Sequence, residues 1–185
     1  MRIVAGTLKG RPILAPEHEG LRPTSDRVRE AVFNIIAHGM ADVDIAGARV
    51  LDLFAGTGAL GIEAMSRGAT YCLFVENDAD ARGLIRRNVE ALGLVGVTRI
   101  FRRDATDMGP AGRNDGFALV LCDPPYGQGF GELALDSVAR GGWLLPGALA
   151  VIEERVDAKV TLPQGFTRID CRTWGQTQVT FARFS

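Results

Sequence analysis

The run Asp123-Pro124-Pro125-Tyr126 is where residue types and spacing point most directly to chemistry. Two adjacent prolines remove two backbone donors and stiffen the turn. What remains is a set of carbonyl acceptors beside the Asp123 carboxylate, and such a set grips an NH2 group. Tyr126 adds a flat face on which a base or an amide can stack. The exocyclic amine of a nucleobase is barely basic, because its lone pair is delocalised into the ring. Hydrogen bonds from its N–H to Asp123 and to a proline carbonyl return density to the nitrogen and favour the tetrahedral geometry of attack. The plainer reading of these four residues is a rigid turn with a surface tyrosine.

A second feature lies upstream, in Leu51-Asp52-Leu53-Phe54-Ala55-Gly56-Thr57-Gly58-Ala59-Leu60-Gly61. Gly56, Gly58 and Gly61 match G-x-G-x-x-G, a turn that brings backbone close to a ligand and frees a helix N-terminus to bind it. The same pattern serves dinucleotide enzymes, but the lysine of a phosphate loop is missing. Glu76 closes the next apolar run, where a carboxylate can accept from both hydroxyls of a ribose. Asp104 follows the third run and Asp123 the fourth. Any one of these acids could be a helix cap or a solvated loop residue. Four successive acids, Asp52, Glu76, Asp104 and Asp123, suit a cation that carries hydroxyls and an adenine, and suit a polyphosphate poorly. S-adenosylmethionine has those groups and no phosphate.

Positioning these residues requires strands that end on a common edge. Short apolar runs fall at Arg49–Leu53, Thr70–Val75, Thr98–Phe101, Phe117–Cys122 and Ala148–Glu153. Helical segments are expected near 58–67, 78–92 and 130–140. This alternation predicts an α/β protein with a doubly wound, mostly parallel sheet covered on both faces. Ligands of such sheets bind at the carboxyl ends of the strands. Phe166–Thr173 and Thr177–Phe184 lack a helix between them and predict an antiparallel addition at the sheet edge, turning at Trp174-Gly175-Gln176. Residues 1–40 read as an N-terminal extension ahead of a 41–185 domain. The extension comprises two short strands around Gly6 to Gly10 and a helix from about Ser25 to His38. Thr24, Ser25 or Asp26 would cap that helix and Gly39 would end it. Gly127-Gln128-Gly129-Phe130-Gly131 reads as a lid over the base or simply a loop.

The chain has 185 residues, enough for one domain with a substantial core. Lys and Arg number 21 against 22 Asp and Glu, a net charge of -1 that excludes bulk basicity as a means of gripping nucleic acid. Residues 1–40 nevertheless carry six basic side chains against four acidic ones. Cys72, Cys122 and Cys171 lie about fifty residues apart, which argues against a disulfide framework or a cysteine zinc site. His18 and His38 are the only histidines and read as surface or turn residues, leaving little material for a metal centre. With no apolar run near the ~20 residues of a membrane span and no secretory signal before the first strand, the expectation is a cytoplasmic protein without a membrane partner.

On these residues the chain resembles class I S-adenosylmethionine-dependent methyltransferases that act on an exocyclic or amide nitrogen. More closely, it resembles the RsmD family of 16S ribosomal RNA guanine-N2 methyltransferases. RIVAGTLKGRPILAP and RPTSDRVREAVFNII resemble that family's N-terminal signatures, VLDLFAGTGALGIEAMSRGA its cofactor loop, and DPPY its catalytic motif. The resemblance runs over nearly the whole chain and is weakest in the C-terminal third. It implies a Rossmann-like class I fold, no metal, and methylation of N2 of a guanine in 16S rRNA within the small subunit or its assembly intermediate, by a monomer. It implies Asp52 and Gly56–Gly58, Thr57 included, near the methionine moiety, Glu76 on the ribose, and Asp104 with the Ala105 N–H on the adenine. Phe54, Ala55, Asn77 and Asp123 complete the cofactor set. Asp123, Pro124, Pro125 and Tyr126 would hold the target guanine. Some members carry Phe at the Tyr126 position, so its implied role is stacking.

Lys9, Arg11, Arg22, Arg27 and Arg29 form the expected RNA patch. Arg82, Arg86, Arg87, Arg99, Arg102 and Arg103 form a second cluster, read equally as RNA contact or as a solvated face. The competing functions are methylation of DNA adenine N6 or protein glutamine, an NAD-dependent oxidoreductase, and a catalytically silent RNA-binding module. The oxidoreductase leaves Asp-Pro-Pro-Tyr unexplained and lacks a hydride-transfer pair. The absence of a separate target-recognition domain argues against a sequence-specific DNA enzyme. The retained Asp123 and glycine turn argue against a silent module.

Overall fold

The structure, a computed structural model, describes residues 1–16, 23–39 and 43–185. Helix α1 (Pro23–His38) precedes a sheet whose parallel strands alternate with helices. These are β1 (Arg49–Leu53), α2 (Ala59–Ser66), β2 (Tyr71–Val75), α3 (Ala79–Ala91), β3 (Thr98–Phe101), β4 (Phe117–Cys122), α4 (Phe130–Arg140) and β5 (Leu144–Arg155). A hairpin of β6 (Phe166–Trp174) and β7 (Thr177–Phe184) ends the chain. Strand order is β3-β2-β1-β4-β5-β7-β6. The pairs from β3 through β5 are parallel, and β7 runs antiparallel to β5 and to β6. The expected antiparallel addition is this hairpin, with β7 inside and β6 outermost.

Period-two alternation divides the strands between two cores. On β1, Val50 joins the apolar cluster of α1, α2 and α3, whereas Leu51 and Leu53 join the cluster of α4. Reversal of helix placement about β1 leaves a crevice at the carboxyl ends of β1 and β4. β5 is longer than the sequence suggests: Pro146 and Gly147, the latter at φ 82°, interrupt the apolar run, and pairing with β4 resumes beyond them with a register shift.

The N-terminal arm departs from the expected pair of strands. It makes one isolated antiparallel bridge, Arg2 to Pro12. Backbone hydrogen bonds from Ile3 N–H to Arg11 O, Gly10 N–H to Ile3 O and Ile13 N–H to Met1 O close it, and further polar backbone groups turn to α2. Val4 and Ala5 N–H donate to the Glu63 carboxylate at 2.9 and 3.0 Å, and Leu8 N–H donates to Ser66 Oγ at 3.0 Å. Ile3 and Ile13 of the arm and Val28, Val32 and Phe33 of α1 share one core with Val50, Ile62 and Phe74. α1 begins at Pro23, so Thr24, Ser25 and Asp26 lie inside the helix and none precedes it. Proline suits a first helical position, where its missing N–H would be unpaired in any case. No helix of the described residues is long and apolar enough to cross a membrane.

Candidate active site at the carboxyl ends of the parallel strands

Strand register sets the floor of the site. Leu53 pairs with Val75 on one side and Cys122 on the other, and Val75 pairs with Phe101. Phe54, Glu76, Arg102 and Asp123 therefore leave the sheet at one level. Asp52 lies deeper, inside β1, and Asp104 lies three residues beyond the end of β3. The four acids share an edge but not a depth, and their environments differ accordingly.

Asp52 is buried against α2. Its Oδ2 accepts the Gly61 N–H at 2.9 Å, and its Oδ1 has no hydrogen-bond partner. Burial pushes its carboxyl up to about 8, against the Gly61 hydrogen bond, with Glu76 adding a smaller upward push. Gly61 permits this approach, because a Cβ there would stand 2.5 Å from the Phe74 ring and 2.9 Å from Asp52 Oδ2.

The turn above is shaped by backbone. Phe54 has φ 56°, the only positive φ of a described non-glycine residue, a sparsely populated conformation that sites of function hold at a cost. Gly58, at φ 80°, caps α2. Glu76 ties the turn to β2. Its Oε2 accepts from Gly56 N–H and its Oε1 from Asp78 N–H, both at 2.8 Å. Each oxygen keeps a further lone pair for a ligand.

Between these elements lies a cleft of about 200 Å³. Its lining is Phe54, Val75, Glu76, Asn77, Arg103, Asp104, Ala105, Thr106, Pro125 and Phe130. Asp104 Oδ1 accepts from Thr106 N–H (2.9 Å) and Thr106 Oγ1 (2.7 Å), which fixes the carboxylate at the cleft's far wall. The Phe130 ring stacks on Phe54 at 6.4 Å. Val75, Arg103, Thr106 and Phe130 were not expected from the sequence as lining residues. Phe130 opens α4 behind Gly129, so its aromatic ring after a glycine-rich turn was a usable signal. Gly127–Gly131 is thus the entry to α4, with Phe130 set into the cleft wall.

Asp-Pro-Pro-Tyr borders the same cleft. Asp123 is exposed, Pro124 buried, Pro125 lines the cleft and Tyr126 is half-buried. The Tyr126 hydroxyl donates to Glu153 Oε1 on β5, and Gly127 N–H donates to Glu154 Oε1 at 3.0 Å. Burial and then the Glu153 carboxylate hold the Tyr126 phenol well above its ordinary range. Glu153 and Glu154 escaped the sequence reading because no spacing links β5 to a turn some thirty residues earlier.

The arginines separate sharply. Lys9, Arg11 and Arg27 are exposed, and Arg11 Nη2 donates to Ala91 O at the end of α3 at 2.8 Å. Arg22 lies outside the described residues, as does His18. Arg29 does not belong to the expected RNA patch. It is 4% exposed, donates to Arg2 O (2.5 Å) and Asp26 Oδ1 (3.1 Å), and lies 3.6 Å from the buried Glu63. A buried acid needs such a partner. In the second cluster, Arg82 Nη1 donates to the Asn77 carbonyl at 2.6 Å and Arg103 Nε to the Asp107 carbonyl at 2.8 Å. Arg86, Arg87, Arg99 and Arg102 are exposed.

The donor set fits a cation carrying hydroxyls and an adenine. It offers an unpartnered buried acidic oxygen, a carboxylate with spare lone pairs, a second one on the far wall, and aromatic rings between them. Comparison with known proteins agrees. Residues 1–183 match the family model described as conserved hypothetical protein 95. The chain is 36% identical over 157 residues to ribosomal RNA small subunit methyltransferase D of Escherichia coli K12, covering 85% of this chain and 76% of that protein. The solved yhhF chain of Escherichia coli superposes with a TM-score of 0.83 at 32% identity, covering 100% of this chain and 97% of that one. A methyltransferase structure complexed with S-adenosylhomocysteine, SMU.776, shares the fold at 18% identity and a TM-score of 0.64, covering 84% of this chain and 49% of that one.

Proposed function

We infer the activity from the premise that this chain belongs to the conserved hypothetical protein 95 family, the RsmD family. It is a ribosomal RNA methyltransferase that uses S-adenosylmethionine. The finer reading proposed here is transfer to the exocyclic N2 of a guanine in 16S rRNA, on the small subunit or its assembly intermediate. The observation that carries it is a shared wall. Pro125 of the NH2-gripping turn lines the same cleft as Glu76, Asp104 and Phe54.

When bound, the donor supplies an electrophilic methyl group on a sulfonium. In the proposed mechanism Asp104 and the Ala105 N–H hold the adenine and Glu76 accepts from the ribose hydroxyls. Asn77 borders the same wall. Asp52, Ala55 and the Gly56-Thr57-Gly58 turn flank the methionine end. The target guanine leaves its stack at a cost of a few kcal/mol and lies against the Tyr126 ring. Asp123 and a proline carbonyl accept from the N2–H bonds. They turn the nitrogen lone pair toward the methyl carbon, and Asp123 takes or relays the proton released. Positioning and electrostatics supply most of the acceleration. Lys9, Arg11 and Arg27 offer the exposed charge for RNA phosphates on a preformed ribonucleoprotein surface. A monomer suffices for every group named.

The test is methyl transfer from labelled donor to small subunits lacking the modification, beside naked rRNA and DNA, with the product nucleoside identified by mass spectrometry. The expected product is N2-methylguanosine. Label in DNA or in protein would overturn the rRNA reading.

A further inference from the structure

The mechanism leaves unused a buried amide that touches both the arm and the cofactor turn. Asn88, on α3, is 2% exposed. Its Oδ1 accepts Leu14 N–H at 2.8 Å, and its Nδ2 donates to Leu14 O at 3.1 Å and to Thr57 O at 2.9 Å. Only this orientation of the amide satisfies all three, because both partners of Nδ2 are carbonyls and the partner of Oδ1 is a donor. Thr57 lies between the two glycines of the turn that crosses from β1 to α2. Leu14 belongs to the arm that carries Lys9 and Arg11. One side chain therefore closes a path from the exposed basic arm to the middle of the turn.

We propose that Asn88 is a positioning residue that couples the N-terminal arm to the cofactor turn, so that occupancy of the turn orders the arm and the arm's attachment sharpens donor binding. The inference rests on the reading of this turn as the donor site. The physical basis is the geometry of a shared amide. The turn is closed from within by Gly58 N–H to Ala55 O at 2.7 Å, and Thr57 O is held from outside by Asn88. If the turn is fixed by a ligand, Asn88 is fixed with it, and so are both polar backbone groups of Leu14. Linkage makes the effect reciprocal.

The experiment uses the full chain and S-adenosylhomocysteine as the probe. Calorimetry gives its Kd, and amide hydrogen exchange at Leu14 gives the state of the arm with and without it. In the parent, the probe is expected to slow Leu14 exchange at least about threefold. Asn88→Ala is expected to weaken the probe about tenfold, the order for a lost buried hydrogen bond, and to abolish the exchange response. Leu14→Pro removes the arm's N–H donor, at a residue that is 47% exposed, and sets the proline ring against Asn88 Oδ1, so that it detaches the arm from Asn88. It covers the case in which Asn88→Ala fails to fold, and it is expected to weaken the probe about threefold. Its arm response is read at Ile13, where probe-induced protection should be lost. Unchanged exchange at Leu14 in the probe-bound parent would overturn the coupling, as would variants that bind within experimental error of the parent. A parent that binds no probe at all would overturn the donor reading itself, a result distinct from binding without an arm response.

Discussion

The two halves of the cleft are built on different terms. On the donor side, from β1 and β2, polar groups are braced from several directions. Asp52 holds Gly61, Glu76 holds Gly56 and Asp78, and Asn88 holds Thr57. On the acceptor side, after β4, Asp123 and Gln128 are exposed and the turn is fastened to β5 through Tyr126 and Gly127. The donor is small and always the same, so its half can be preformed at no loss. The acceptor base arrives on a folded RNA, so its half stays open and the substrate completes it. Changes on the donor side should then alter fold and binding together, whereas changes on the acceptor side should alter turnover alone.

The largest expected effect tests that separation. Asp123→Ala should lower methyl transfer by about 10²–10⁴-fold, the usual scale for a group that handles a transferred proton, while the Kd for S-adenosylhomocysteine stays within twofold. Single-turnover assays beside calorimetry measure both. Loss of donor binding in this variant would erase the contrast between the halves.

Gly61→Ala should show the opposite pattern. The added methyl meets the Phe74 ring, Cys72 Sγ and Asp52 Oδ2 within 2.9 Å, in a core with little room to yield. Overpacking of this kind costs about 1–3 kcal/mol. Urea unfolding should report that loss, and donor affinity should fall with it because Asp52 and α2 shift together.

Asp52 also makes the donor side sensitive to pH. Its carboxyl titrates near 8 in the folded chain and near 3.8 when unfolded. Between those values the folded state holds a proton that the unfolded state has lost. Its contribution to stability is therefore greatest below about 3.8 and is lost as pH rises through about 8. Asp52→Asn should gain on the parent over that window in denaturant titrations at several pH values. If a cationic donor group settles beside Asp52, binding should release a proton near neutral pH. Calorimetry in buffers of different ionisation heat reads that release.

Much of this contrast was legible in the sequence. Apolar runs followed by acids located the strand ends, and two adjacent prolines marked the acceptor turn. Depth was not legible, because periodicity gives the ends of strands but not the pairing that sinks Asp52 below Asp123. The burial of Arg29 carried a signal that basic character masked. Arg29, Phe33 and Ile36 fall at i, i+4 and i+7, on the helix face that enters the core. Glu63 likewise stands alone among apolar residues of α2, and a lone acid in such a segment needs a cation to meet it. The two strands expected of residues 1–16 shrink to a single antiparallel bridge with backbone hydrogen bonds across it, because the Val4, Ala5 and Leu8 N–H groups are taken by Glu63 and Ser66.

The smallest expected effect bears on the least braced part of the site. Tyr126→Phe keeps the ring and removes the hydrogen bond to Glu153. A net hydrogen bond of about 0.5–1.5 kcal/mol corresponds to a change of about two- to thirteenfold. If the hydroxyl only orients the ring, kcat should fall by about that factor with donor affinity unchanged, and Glu153→Gln, which retains an acceptor, should fall less. Tyr126→Ala should lose more than Tyr126→Phe, because stacking on the base is lost as well as the anchor. Equal losses in the two variants would mean that the ring does not touch the base and that the acceptor side works through Asp123 and the prolines alone. A weakened donor in Tyr126→Phe would mean that the turn after β4 braces both halves, and the division between a preformed side and an open side would have to be withdrawn.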